Sequence, residues 1–320
     1  MSCDADGRGL LRQVDALIAD EDYRAAVSLA RELILRAPQW AGQAWVSMAV
    51  AEERAGRREA AAAAFRKALG LVETRRGVLL HGLGLMLYET GRYGEAAVCF
   101  DLACREERKP YRLVMLARSL YRLGSRKEGI RAAEEAIERD PTYDEAYQLL
   151  GYYLLDEDPQ RAASCLLQAI GINPECATAY GTLSELAWRK RDYQQAVEYA
   201  QHGTEIDPGH MLCWVRAATA LEMVGNVADA DAAFRKSLDC TDDENEPWAR
   251  RKFAEFLQRQ GEYEQAKAEF EYLLRAWPEE EDGYEGYLAF LEEALGQDDR
   301  AAEVRKELKA VRRVLERETE

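Results

Sequence analysis

The chain has 320 residues, past the ~250–300 at which one compact core stops growing, so it reads as several domains or an open array. Hydrophobic residues at 48% and charged residues at 32% exclude wholesale disorder, and no apolar run approaches the ~18 residues of a spanning helix. The formal charge of −16 is uneven: residues 1–160 hold 23 Lys+Arg against 26 Asp+Glu, net −3, and residues 161–320 hold 20 against 33, net −13, which argues against a nucleic-acid partner.

The opening MSCDADGRGL is acidic and lacks an apolar stretch behind it, so no targeting segment is expected and the protein is placed in the cytoplasm. From there the predicted elements repeat every 33 to 36 residues. Nine copies run at about 7–40, 42–75, 77–109, 110–143, 144–176, 177–210, 211–244, 247–280 and 282–315. The first helix of each copy carries a small residue near its middle: Ala49, Gly84, Ala117, Gly151, Ser184, Ala218, Ala254 and Ala289, with Val14 in the first copy. The second helix carries an alanine at one phase: Ala26, Ala61, Ala96, Ala162, Ala196, Ala230, Ala266 and Ala301, with Gly129 as the exception. Small side chains at fixed phase let two helix backbones cross closely.

Between the paired helices lie Gly56, Gly91, Gly124, Gly225, Gly261 and Gly296, suited to the left-handed residue that ends a helix. Between copies lie Pro38, Pro141, Pro174, Pro208 and Pro278, which stop the second helix. No strand-like alternation appears. Two irregularities stand out: a shortened turn at Asp156-Glu-Asp-Pro159 in the fifth copy, and an acidic insert, Asp242-Asp-Glu-Asn-Glu246, before the eighth.

The chemistry-bearing residues form no catalytic or metal constellation. The seven cysteines are odd in number and contain no C-x-x-C pair, and Cys99 and Cys104 lie five apart, off a common helix face. His202 and His210 lack a companion at ligand spacing. There is no Gly-rich phosphate loop, G-x-S-x-G or H-E-x-x-H, so the expectation is a non-enzyme without cofactor or metal.

Trp45-Val-Ser-Met48-Ala49 with Ala61-x-x-x-Phe65, Leu80-x-x-Leu83-Gly84 with Ala96-x-x-x-Phe100, and Tyr147-x-x-Leu150-Gly151 with Pro174 resemble the tetratricopeptide repeat over about residues 7 to 315. The resemblance implies an all-α fold, a single right-handed superhelical solenoid of antiparallel helix pairs with capping first and last copies. It also implies an adaptor or scaffold that binds a protein or peptide in a concave groove formed by the first helices. The family's chaperone-binding members grip a C-terminal carboxylate with Lys, Asn and Arg. This sequence departs from that pattern with Leu11, Asp15, Val46 and Val50 early in the chain, and with Glu255 beside Arg251 and Lys252 later.

One groove phase reads Ile18, Glu53, Tyr88, Tyr121, Leu155, Trp188, Glu222, Gln258, Glu293, so copies three to six present bulky apolar residues between acidic and amide flanks. With the neighbouring phases, the candidate partner-binding residues are His81, Leu85, Tyr88, Tyr111, Val114, Arg118, Tyr121, Gln148, Tyr152 and Trp188. Packing between adjacent repeats is the competing explanation for several of them. A basic segment of the partner could face the acidic C-terminal half. A structural subunit using caps or convex face, or a regulatory or chaperone module for a separately encoded protein, remains open beside the adaptor. In the last helix Val304, Leu308, Val311 and Leu315 make a narrow seam that either caps the ninth pair, the favoured reading, or dimerises.

Overall fold

A computed structural model describes the backbone of residues 2–241 and 246–319 and the side chains of 7–241 and 246–314. Most of the acidic insert, the side chain of Cys3 and that of Leu315 lie outside the described residues. The chain divides into two compact units, Met1–Ile172 and Asn173–Glu320. Among the described residues there is no strand.

Unit 1 contains α1 (Ser2–Ala19), α2 (Tyr23–Arg36), α3 (Ala41–Arg54), α4 (Arg58–Leu69), α5 (Arg76–Glu89), α6 (Tyr93–Glu106), α7 (Pro110–Arg122), α8 (Arg126–Arg139), α9 (Asp144–Tyr153) and α10 (Pro159–Ile172). Unit 2 contains α11 (Ala177–Arg189), α12 (Tyr193–Ile206), α13 (Met211–Met223), α14 (Val227–Asp239), α15 (Glu246–Arg259), α16 (Tyr263–Ala276), α17 (Glu281–Ala289) and α18 (Asp298–Thr319). Within each unit every odd-numbered helix packs on the even-numbered one that follows it, and α1 packs on α3, α5 on α7, α7 on α9, α11 on α13, α13 on α15 and α15 on α17.

The small residues sit where the helices cross. All eight alanines of the second-helix series are fully buried. A Cβ on Gly84 would come within 2.8 Å of the Phe100 ring, and one on Gly151 within 2.7 Å of Leu166. Ser184 fills the same place in α11 and donates its hydroxyl to the Ala196 carbonyl at 2.7 Å. The phenylalanines four residues after the alanines, Phe65, Phe100, Phe234 and Phe270, are buried in the resulting cores.

The ninth copy departs from expectation, because Ala289 is exposed rather than at a crossing. One residue more lies between Gly283 and Gly296 than between the equivalent Ala249 and Gly261. The extra residue is absorbed by a π-helical stretch, Phe290–Leu295, which shifts the face of α17 and turns Tyr284, Tyr287, Phe290 and Leu291 into the core.

All six inter-helix glycines adopt positive φ, from 61° to 85°. The first and sixth copies have no glycine there, and Glu21 and Arg191 take the left-handed conformation instead, each at φ 62°. Both are followed by an aspartate that caps the next helix: Asp22 accepts from the Ala25 amide at 3.0 Å and Asp192 from the Gln195 amide at 3.2 Å. The cap offsets the backbone cost that a Cβ incurs in this region. Since nothing lies within 4 Å of a Cβ built on Gly225, Gly225→Ala tests the backbone alone and should cost about 1 kcal/mol, whereas Arg191→Gly should stay within about 0.5 kcal/mol of the parent. Urea unfolding measures both, and a loss above about 1 kcal/mol for Arg191→Gly would contradict the assignment.

The seam of α18 is used inside unit 2. Val304 and Leu308 are buried, and Val311 packs partly buried against the same core as Tyr284, Tyr287 and Phe290. The described part of the seam therefore packs within the ninth pair.

Candidate interaction surface

In α7 the residues Tyr111, Val114, Arg118 and Tyr121 follow one another at steps of three and four, which places them along one helix face. That face meets its counterparts on α5 and α9, and the side chains form two groups.

The first group joins His81 of α5 to Tyr111 of α7. Their rings meet edge to face with centroids 4.9 Å apart, and Phe100 closes on the imidazole at 5.3 Å. Tyr111 remains 38% exposed. Next to it Arg112, only 3% exposed, donates Nη1 to the carbonyls of Ala103 at 2.8 Å and Glu107 at 3.0 Å, so its charge closes the end of α6. Burial, aided by that guanidinium, pushes the His81 imidazole down to about 4, and its Nδ1 is buried without a hydrogen bond.

Because folding disfavours the imidazolium, the unfolded chain binds this proton first as pH falls. The contribution of His81 to stability is thus complete above the ordinary value of 6.5 and is lost as pH drops from there towards about 4. Melting temperatures of the parent and of His81→Phe should therefore diverge less favourably for the parent between pH 7.5 and pH 5. Parallel profiles would refute it.

The second group is a cluster of tyrosines. Tyr121 stacks on Tyr153 of α9 with centroids 3.8 Å apart and planes at 2°, and Arg126 lies over the Tyr121 ring at 5.5 Å. Tyr152, 49% exposed, stands beside Tyr121 at 6.1 Å. Tyr88 packs on Tyr93 at 5.2 Å. Burial, with the neighbouring phenols of Tyr88, Tyr121 and Tyr152, keeps the Tyr153 hydroxyl protonated far above the ordinary tyrosine range. Arg118 pairs with Glu145 at 2.7 Å, and the Tyr143 hydroxyl donates to the other oxygen of that carboxylate at 2.6 Å. Gln148 bonds Asp144 at 3.1 Å, and Leu85 packs partly buried on the core of the first three copies.

Two expected surface residues are core instead. Val114, 1% exposed, packs with Leu113, Ala136 and Ala146, and Leu155 is buried where α9 stops short. A position on the common face of adjacent first helices lies in the seam between them when the neighbouring side chains close over it. Tyr153, which the spacing did not single out, proves to be the stacking partner of Tyr121.

Unit 2 holds the remaining candidate. Trp188, 37% exposed, lines a cleft of about 490 Å³ with Arg216, Met223, Trp248, Lys252 and Arg259. The cleft's acids are already engaged. Glu185 pairs with Arg189 at 2.6 Å and with Arg216, Glu222 receives both Nε and Nη2 of Arg259 at 2.8 Å, and Glu255 holds Arg251 at 2.8 Å and Lys252 at 2.9 Å. The basic residues nearest to a carboxylate clamp are thus bound to Glu255.

Among the described residues, no helix is long and apolar enough to cross a membrane, and no three His, Cys, Asp or Glu side chains are grouped to hold a metal ion.

Comparison with known proteins agrees with the repeat architecture. No curated protein sequence matches the chain. Among solved structures, a tetratricopeptide repeat protein from Parabacteroides merdae superposes with a TM-score of 0.60 at 16% identity, covering 72% of this chain and 91% of that one. The structure titled APC/C hetero-tetramer Cut9-Hcn1 superposes with a TM-score of 0.63 at 14% identity, covering 87% of this chain and 54% of that one. At such identities the likeness concerns the fold alone. The sequence itself matches the family described as "Tetratricopeptide repeat" over residues 11–75, 114–158 and 156–211. With the paired helices, the buried alanines and the left-handed glycines at their expected phases, this chain belongs to the tetratricopeptide repeat family.

Proposed function

We propose that the protein is a non-catalytic interaction scaffold that takes an extended peptide or a partner helix on the groove face of its first helices, with the tyrosines of unit 1 as the principal contact. The family's general role in protein–protein interaction supports the class. The observation that carries the site is the contrast within one face: Val114 is sealed, whereas Tyr152 and Tyr111 keep large, rigid, amphipathic surface open. The reading places the protein in the cytoplasm, where the buried thiols of Cys99, Cys104, Cys165 and Cys213 stay reduced.

The acidic surplus of the C-terminal half would act on association rate, through steering of a basic partner segment, more than on bound-state affinity. Dimerisation through the last helix is not part of this reading, because Val304 and Leu308 are already buried.

The test compares proteins captured by the parent chain with those captured by Tyr152→Ala and Tyr121→Ala, followed by affinity and melting measurements on any partner. Tyr152→Ala should cost about 2 kcal/mol of binding with little change in melting. Tyr121→Ala should lower the melting temperature, since it removes half of a stacked pair worth ~0.5–1.5 kcal/mol beyond its buried area. A partner whose affinity ignores Tyr152 would overturn the site.

A further inference from the structure

We propose that His210 is a pH-sensitive latch: its neutral imidazole ties the start of α13 to the start of α11, and acidification releases this tie between the sixth and seventh copies.

The geometry fixes which ring nitrogen carries the proton. His210 closes the turn before α13, where its Nδ1 lies 3.4 Å from the Cys213 amide nitrogen and its Nε2 lies 3.1 Å from the Thr178 hydroxyl of α11. An amide only donates, so Nδ1 holds a lone pair, and the ring proton sits on Nε2 and is donated to the Thr178 oxygen. One tautomer of the neutral ring therefore serves both helices. Before α2 and α12 the same capping place is filled by the carboxylates of Asp22 and Asp192. A carboxylate keeps its acceptor through mildly acid pH, whereas an imidazole loses it there.

Protonation reverses the contact. An imidazolium donates from both nitrogens, so an Nδ1–H would point at the Cys213 N–H, and a cation would stand at the positive end of the α13 dipole. The Cys213 amide keeps its bond to the His210 carbonyl at 3.1 Å, so the first turn is weakened, while the ring leaves the cap and the tie to Thr178 goes with it.

The surroundings of the half-buried ring favour the neutral form. Burial lowers its affinity for the proton, and the Asp207 carboxylate on the same turn opposes this without cancelling it. Asp207 also accepts from the Gly209 amide at 3.0 Å. On α12 the Glu205 carboxylate is engaged with His202 at 3.2 Å, and Glu175, in the turn before α11, is exposed to water. The remaining neighbours are uncharged: the Thr178 hydroxyl, the Cys213 thiol, which burial pushes up to about 12, and the Cys240 thiol after α14, which donates to the Pro208 carbonyl at 3.3 Å. Because folding disfavours the imidazolium, the latch contributes fully above the ordinary value of 6.5, and its contribution is lost as pH falls from there through the lower value of the folded chain. α11 and α13 pack directly on each other and end in Trp188 and Met223 of the cleft, so the latch acts on the helix pair that carries two of its walls.

Two measurements on the full chain decide. In 15N-histidine-labelled protein at pH 7.5 the His210 ring, assigned by its loss in His210→Asn, should show an unprotonated Nδ1 and a protonated Nε2; the other tautomer, or an imidazolium, overturns the proposal. Hydrogen exchange, corrected for the intrinsic rate at each pH, reads the consequence. Protection of the Cys213 and Trp214 amides should fall about fivefold between pH 7.5 and pH 5 in the parent, the factor that a lost cap gives, and should stay level in His210→Asn, whose amide caps without titrating. His81 and His202 are present in both chains, so the difference belongs to His210. His210→Ser, another cap without a titrating group, supplies the same comparison where the asparagine chain does not fold. Equal pH profiles in parent and variant overturn the latch.

Discussion

Phe234→Ala will destabilise unit 2 by about 3–5 kcal/mol, the range for deleting a fully buried aromatic side chain. Phe234 sits in α14 with its ring 4.9 Å from Phe256 and 5.8 Å from Phe253, both in α15, so it links one helix pair to the next. In a repeat array each copy is stabilised chiefly by its neighbours, and a void at such a junction weakens the copies on both sides. The surrounding alanines, Ala230 and Ala254 among them, are too short to reach into the space the ring leaves. Unfolding of such arrays departs from two-state behaviour, so a single melting temperature would blur the effect. Hydrogen exchange resolves it: amides of α14 and α15 should lose protection by about two to four orders of magnitude, the fold-change that corresponds to 3–5 kcal/mol. A loss below about 1 kcal/mol would mean that the ring is not the junction the packing indicates.

The parts of this fold that were legible in the sequence are those with a strict local cause. A crossing point admits only a small side chain, so Ala26, Ala61, Ala96 and their counterparts mark it at fixed phase, and each is buried as expected. A left-handed turn residue favours glycine, so Gly56, Gly91, Gly124, Gly225, Gly261 and Gly296 mark the turns. What escaped depends on partners far along the chain. Glu222 reads as an acid that any apolar ligand must desolvate, yet Arg259 of the next copy neutralises it with two hydrogen bonds. Val114 has the periodicity of a groove residue and is covered by neighbouring helices. Ala289 keeps the repeat phase by counting, but the extra residue before Gly296 rotates its helix and leaves it exposed. Glu21 and Arg191 occupy a glycine's conformation because an aspartate cap follows, a compensation that appears only when the two residues are considered together. The tyrosine face lies between these cases. Tyr88 and Tyr121 share one groove phase and Tyr152 comes from a neighbouring one, whereas the stack on Tyr153 depends on how α9 ends.

A chain ending at Gln297 will lose the folded state of its ninth copy and aggregate or unfold progressively into unit 2. The truncation removes Ala301, Val304 and Leu308 from the core and uncovers Tyr287, Phe290 and Leu291 on the other side of the same contact. Burial of a Val or Leu side chain is worth ~1.5–3 kcal/mol, so the apolar loss alone is on the order of 5 kcal/mol, comparable to the stability of a whole small domain. The ion pairs of α18 contribute little by comparison. Arg312 reaches Glu281 at 2.6 Å and Glu285 at 2.5 Å, but all three side chains are substantially exposed and such pairs are typically worth ~0–1 kcal/mol. Arg312→Ala should therefore leave the melting temperature nearly unchanged, while Val304→Asp should reproduce much of the truncation, because it puts an unpaired carboxylate into a closed apolar site. Circular dichroism and light scattering distinguish this from association: a cap predicts lost helix signal and growing particles in the truncated chain. A truncated chain that keeps the helicity of its remaining residues and passes cleanly from dimer to monomer would instead assign the seam to dimerisation and refute the cap.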